Sequence, residues 1–162
     1  MSTSTFNPWL ELLKKALEEA TIGNPSNLDI KLSEHRDALK PSRGTPTQDL
    51  SSQSIAANDK AEITKSNLDG WSAIVVTVKA TYDASATAGV RVRWLYSPDG
   101  SNYDSPEDAE DAGNYEGLTF EKGKTRQRTL LIPLFQPYVR VQIVNLDSSY
   151  SVTVDVWTTL LR

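Results

Sequence analysis

Thr125-Arg-Gln-Arg-Thr-Leu-Leu-Ile-Pro133, Pro137-Tyr-Val-Arg-Val-Gln-Ile-Val-Asn145 and Tyr150-Ser-Val-Thr-Val-Asp-Val-Trp157 are three runs in which apolar and polar residues alternate. Alternation with a period of two sends one set of side chains to one face of a strand and the other set to the opposite face. Proline or Asn/Asp/Ser punctuation separates the runs, as in an antiparallel sheet with one dry and one wet face. The pattern extends upstream. Strands are predicted at Leu50–Ala56, Lys60–Ser66, Trp71–Ala80, Gly89–Tyr96, Tyr115–Glu121, Thr125–Pro133, Tyr138–Asn145 and Tyr150–Leu160. Turn chemistry lies between them in Asn58-Asp59, Asn67-Leu-Asp-Gly70, Pro98-Asp-Gly-Ser-Asn102, Lys122-Gly-Lys124 and Asn145-Leu-Asp-Ser-Ser149.

About eight short strands in roughly 110 residues indicate an all-β, antiparallel β-sandwich. A jelly-roll-like topology suits eight strands better than an immunoglobulin one, and the Cys…Trp…Cys pattern of the latter is missing. The inward positions are Ile74, Val76, Val78, Val90, Val92, Trp94, Leu130, Ile132, Val139, Val141, Ile143, Val152, Val154 and Val156. The sandwich is assigned to residues 49–162.

Two segments precede it. Residues 1–23 read as an amphipathic helix, in which Phe6, Trp9, Leu10, Leu13, Leu17 and Ala20 recur at spacings of three and four. Asn7 is suited to its N-cap, Pro8 to the first turn and Gly23 to its end. The stripe Phe6, Trp9, Leu10, Leu13 and Leu17 needs something to pack on, either the chain's own sheet or a second molecule, and marks an oligomer or partner contact. Residues 24–48, broken by Pro25, Pro41, Gly44 and Pro46, read as an extended arm or linker.

Composition removes several functions. Cysteine is absent, which excludes disulfides, thiolate metal sites and cysteine nucleophiles. His35 is the single histidine and lies in a charged segment, so one chain offers no multi-histidine metal site. A net charge of −4 argues against general binding to nucleic acid or anionic membranes. No run approaches the roughly 18 apolar residues that span a bilayer, and the N-terminus has no secretory-signal pattern. The expected location is a virion or the cytoplasm. The chain is expected not to be an enzyme.

Three groups of residues are candidates for binding. The loop from Ser97 to Glu121 carries eight acids and no base. Clustered carboxylates suit a hard cation, so a tight turn would let Asp99, Asn102 and Asp104 hold calcium; a solvated acidic loop is the plainer reading. Arg91, Arg93, Arg126, Arg128 and Arg140 stand at alternate positions of their strands and, if those strands share a sheet, form a basic outer face. Such a face serves either an acidic partner or cross-strand ion pairs. Tyr96, Tyr103 and Tyr115 flank the acidic loop and, with Asp99, Asn102 and Asp104, are the choice for a sugar site. Strand-end aromatics also close sandwich cores with their polar tips in water.

The order Arg91-Val-Arg-Trp-Leu-Tyr-Ser-Pro-Asp-Gly-Ser-Asn-Tyr-Asp104, Pro137-Tyr-Val-Arg-Val-Gln-Ile-Val-Asn-Leu146 and Val152-Thr-Val-Asp-Val-Trp157 resembles small β-sandwich structural proteins of tailed phages and archaeal or bacterial proviruses. The resemblance covers residues 49–162 and rests on strand and turn motifs. It implies a non-enzymatic virion- or provirus-associated protein, a decoration, tail or fibre component. Such a protein would be homo-oligomeric and in contact with other particle proteins, and no catalytic residue carries over. The alternative is a carbohydrate-binding module for a cell-surface glycan, with calcium as its one conceivable cofactor.

Overall fold

The computed structural model describes residues 42–162 together with Lys15. The helix predicted over Phe6–Ala20, with its contact residues Phe6, Trp9, Leu10, Leu13 and Leu17, and most of the arm lie outside the described residues. Residues 42–162 form one compact unit. Its strands are β1 (Thr47–Ile55), β2 (Lys60–Lys65), β3 (Ala73–Tyr82), β4 (Val90–Ser97), β5 (Tyr115–Gly117), β6 (Thr125–Pro133), β7 (Tyr138–Asn145) and β8 (Val152–Leu161), with one short helix, α1 (Pro106–Asp111), between β4 and β5.

The eight strands make two four-stranded antiparallel sheets, ordered β1-β8-β3-β6 and β2-β7-β4-β5. Successive strands alternate between the two sheets except β4 and β5, which are neighbours in the second. This is the jelly-roll arrangement, two interleaved Greek keys. The alternation within each strand is what closes it. Every inward position predicted above is buried, including Ile74, Val76 and Val78 on β3 and Val139, Val141 and Ile143 on β7. Burying each such side chain contributes about 1.5–3 kcal/mol relative to exposure, which makes the inter-sheet layer the main source of stability.

Strand boundaries depart from the prediction in physically simple ways. The sandwich begins before Asp49: Arg43 bridges to Leu161, Gly44 N donates to Leu160 O at 2.8 Å, and β1 pairs with β8 from Thr47. β5 stops at Gly117 because Leu118 N turns inward to Val90 O at 2.9 Å and the chain leaves the ladder. β1 carries register shifts around Leu50. There Ser52 adopts a left-handed φ of 48°, and its N–H donates to Asp155 Oδ1 at 2.8 Å. Such bulges blunt an edge strand against unwanted pairing.

The helix α1 was not predicted, although its signal was present. Ser105 precedes Pro106 at the first helical position, and Glu107 and Asp108 fill the first turn. Ser105 Oγ accepts from Asp108 N at 3.0 Å and donates to Asp108 Oδ2 at 2.8 Å, a reciprocal cap. The density of acids obscured this reading and made the segment look like a plain loop. Among the described residues no helix is long and apolar enough to cross a membrane.

Candidate functional site

The direction of the strands sorts the loops into two groups. At one end lie the β1–β2, β3–β4, β5–β6 and β7–β8 turns. At the other lie residues 66–72, the start of the β4–α1 connection, and the β6–β7 turn 134–137. The second end holds most of the sequence's binding candidates.

There the Ser97–Asp104 turn is built from its own side chains. Ser97 Oγ accepts from Gly100 N at 2.9 Å and donates to Asp99 Oδ1 at 3.0 Å. Asp99 Oδ1 also accepts from Ser101 N and Asn102 N, both at 2.8 Å, and its Oδ2 accepts from Asn102 Nδ2 at 2.6 Å. The Asn102 and Ser101 amides, in that order, hold the Asp99 carboxyl well below the usual carboxylate range. Asp104 Oδ2 accepts from Tyr96 N, while Asp104 N donates to Tyr96 O, both at 3.0 Å. The oxygens of Asp99 are committed to the turn, Asn102 turns an amide N–H toward Asp99, and Asp104 faces the β4 backbone. Among the described residues no group of three or more Asp, Glu, His or Cys side chains is placed to hold a metal.

The three tyrosines chosen from sequence are separated. Tyr96 is 8% exposed, its hydroxyl donates to Pro133 O, and burial pushes its phenol up to about 12. It is a core residue joining the sheets, because its parity on β4 matches Val92 and Trp94 rather than Arg93. Tyr115 stands on β5 opposite Arg93, with the Arg91 guanidinium 4.9 Å from its ring centre. Tyr103 alone stays at the loop end. Its ring carries the Arg140 guanidinium at 3.9 Å, a cation–π stack that holds both groups flat.

Two further aromatics complete that end. Tyr138, the first residue of β7, points outward on the same face as Arg140, two residues on. Its ring lies on Gly100, where a Cβ would come within 2.9 Å of Cε1, and Gly100 has a φ of +77°. Glycine is required at this position on both counts. Phe135, in the β6–β7 turn, is 73% exposed, with its ring centre 5.7 Å from that of Tyr96. Trp71, beside the same end, carries Arg162 4.5 Å above its ring. Phe135 escaped the sequence reading because it sits in Leu134-Phe-Gln-Pro137, where nothing in the pattern distinguishes an outward from an inward aromatic.

The predicted basic face also divides. Arg91, Arg93 and Arg140 lie on the outer face of the β2-β7-β4-β5 sheet, but Arg126 and Arg128 are on β6 of the other sheet. They share the parity of Leu130 and Ile132, so they point toward the seam between the sheets rather than outward. Arg128 Nη1 donates to Gly117 O at 2.7 Å and Nη2 pairs with Glu116 at 2.9 Å, while Arg126 pairs with Glu121. Inward-pointing charge on an edge strand closes the seam and discourages edge pairing.

On the outer face, Glu62, Gln142 and Arg93 stand in one cross-strand row. Gln142, 1% exposed, donates from Nε2 to Glu62 Oε1 at 2.7 Å and accepts at Oε1 from Arg93 Nε at 2.9 Å. Glu110 of α1 then accepts from Arg91 Nη1 at Oε2 and from Arg93 Nη1 at Oε1, both at 2.7 Å. Burial opposes ionisation of Glu110, yet the two guanidinium donors take its carboxyl below the usual range. Arg91 and Arg93 are therefore the anchors of α1, in keeping with the ion-pair reading of these positions.

No family model matches the chain, and no curated protein matches it. Solved structures that resemble it include a carbohydrate-binding module CBM36 in complex with calcium and xylotriose. That match has 14% identity over 73% of this chain and 90% of that one, with a TM-score of 0.41. A second is the CBM36-1 domain of a multidomain xylanase from the hindgut metagenome of Trinervitermes trinervoides, at 9% identity over 74% and 96%, TM-score 0.41. A third is the Drosophila NLP-core, a pentamer-forming histone binder, at 12% identity over 76% and 98%, TM-score 0.31. Likenesses at these scores carry no weight for function, and the site has to be judged on its own residues.

Proposed function

We propose that residues 42–162 form a non-catalytic carbohydrate-binding module whose ligand lies across the loop end bounded by Phe135, Tyr138 and Tyr103. The observation that carries this reading is the Phe135 ring, largely exposed at an end that also presents Tyr138 and Tyr103. Leaving a large apolar ring in water forgoes burial worth about 1.5–3 kcal/mol, a cost that binding a partner offsets. A sugar ring has an apolar face of C–H groups that lies flat on an aromatic side chain, while its hydroxyls reach polar groups at the rim. The exposed Asn102 and the Arg140 guanidinium supply such groups here.

The test is retention on a panel of immobilised plant and microbial polysaccharides. Phe135→Ala and Tyr138→Ala each weaken retention about tenfold or more with no loss of melting temperature for Phe135→Ala, whose ring is mostly in water. Unchanged retention by both variants, or no retention by the wild type on any polysaccharide, overturns the reading. The particle-associated role implied by the resemblance rests on sequence motifs alone. It is checked separately by comparing the solution mass of the full chain with that of a chain starting at Ser42, which a role in assembly makes smaller.

A further inference from the structure

Of the five arginines that alternate along the strands, four have their guanidinium groups engaged. Arg91 bonds to Glu110, and Arg93 to Glu110 and Gln142. Arg126 pairs with Glu121, and Arg128 with Glu116 and Gly117 O. Arg140 differs. Among the described residues its guanidinium donates no hydrogen bond within ordinary range, its nearest carboxylate oxygen is Glu62 Oε2 at 3.9 Å, and its Nε is buried without a partner. Glu62 is itself turned toward other donors, Lys60 at 2.9 Å and Gln142 Nε2 at 2.7 Å. What holds Arg140 in place is the flat face of Tyr103 at 3.9 Å. A guanidinium stacked on a ring keeps its N–H edge in a fixed plane, and that planar fork matches a carboxylate or sulfate group. Arg140 stands two positions from Tyr138, on the outer face of β7, at the end that presents Phe135.

We infer that Arg140 is a specificity-determining residue that selects glycans bearing an anionic substituent, either a uronate carboxylate or a sulfate ester. The inference rests on the glycan-binding reading above. Tyr103 is the positioning residue for this guanidinium, and the rings of Phe135 and Tyr138 supply contact that does not depend on charge. None of the carboxylates nearby occupies the guanidinium, because Asp99 and Asp104 direct oxygens to backbone amides and Glu62 to Lys60 and Gln142.

The experiment uses the full chain and four probes: polygalacturonate, the same polymer after carboxyl reduction, a sulfated dextran and its unsulfated parent. Affinity is read by calorimetry or affinity electrophoresis at two salt concentrations. Wild type binds an anionic polymer about tenfold or more tighter than its neutral parent, and the advantage shrinks with salt. Arg140→Gln erases that advantage with the melting temperature unchanged, and Tyr103→Phe, which keeps the stack, retains it. The carboxylate and sulfate arms identify which substituent is read. Equal affinity for charged and neutral polymers overturns this inference and leaves the glycan reading standing. Failure to bind any of the four polymers overturns this inference, and the glycan reading falls only if the wider panel is also negative.

Discussion

Two ends of one sandwich use a turn carboxylate in opposite ways. At the end away from the aromatics, Asp147 is 1% exposed and accepts five hydrogen bonds: Thr87 N, Thr87 Oγ1 and Ala88 N on Oδ2, and Ser149 N and Tyr150 N on Oδ1. One of its two partner segments, Ser149–Tyr150, is its own turn, and the other, Thr87–Ala88, lies sixty residues away in the β3–β4 connection. Asn145 beside it donates to Ile55 O, Ala56 O and Tyr150 O. Asp147 O accepts from Asn58 N at 2.8 Å, and Leu146 N donates to Gly89 O at 3.0 Å. At the opposite end Asp99 makes four bonds, and every donor lies between Ser97 and Asn102. One carboxylate fastens two connections together. The other shapes a single turn and leaves its neighbours to meet a ligand. Placing fold stability at one end frees the other to expose Phe135.

The largest effect expected from this contrast is at Asn145 and Asp147. Asn145→Ala strands buried carbonyls of β1 and of the β7–β8 turn and lowers stability by about 2–4 kcal/mol, read as a fall in denaturation midpoint at unchanged slope. The pH dependence sharpens the point. The Thr87 amide, followed by those of Ser149, Tyr150 and Ala88, holds the Asp147 carboxyl below its usual range despite burial. The folded state then binds fewer protons than the unfolded chain, so stability from this group is complete above the unfolded carboxylate pKa of about 4 and is lost as pH falls below it. Melting temperature measured from pH 7 to pH 2 should be flat and then drop, and Asp147→Asn should lower the plateau and flatten the acid slope. The Asp99 carboxyl is held low as well, so Asp99→Asn should also flatten the slope; if it lowers the neutral-pH plateau as much as Asp147→Asn does, the distinction between the two ends fails.

The next effect in size is on binding. Loss of ligand retention in Phe135→Ala with an unaltered melting temperature separates the two ends, whereas equal losses of both would merge them. Smallest is the response to chelation. Because the oxygens of Asp99 already serve Ser97, Ser101 and Asn102, EDTA should leave glycan retention and melting temperature unchanged. A calcium-dependent rise in either would show that this turn rearranges around the ion.

Much of the fold was legible. Period-two alternation is a local property of the chain, so the eight strands and all fourteen predicted core positions could be read directly from runs such as Val139-Arg-Val-Gln-Ile143. The candidate site was less legible. The motif Ser97-Pro-Asp-Gly-Ser-Asn-Tyr correctly marked a turn and placed Tyr103 on it, but Tyr96 and Tyr115 went elsewhere. A tyrosine's parity on its strand decides whether it fills the core or meets water, and Tyr96 counts with Val92 and Trp94.

The sequence by itself determined the class of fold, the polarity of each strand face and the chemistry of each turn, because those depend on neighbours one to four residues apart. Only the tertiary structure decided which arginines found acids and which did not. Arg128 and Arg140 each stand on a strand at the same parity as further outward-reading polar residues, Arg128 between Gln127 and Thr129 and Arg140 between Val139 and Val141. Yet β6 lies on a seam facing Glu116, while β7 carries Arg140 to Tyr103, thirty-seven residues earlier in the chain. Pairing across such separations is set by strand order, and strand order is a property of the closed sandwich rather than of any single run.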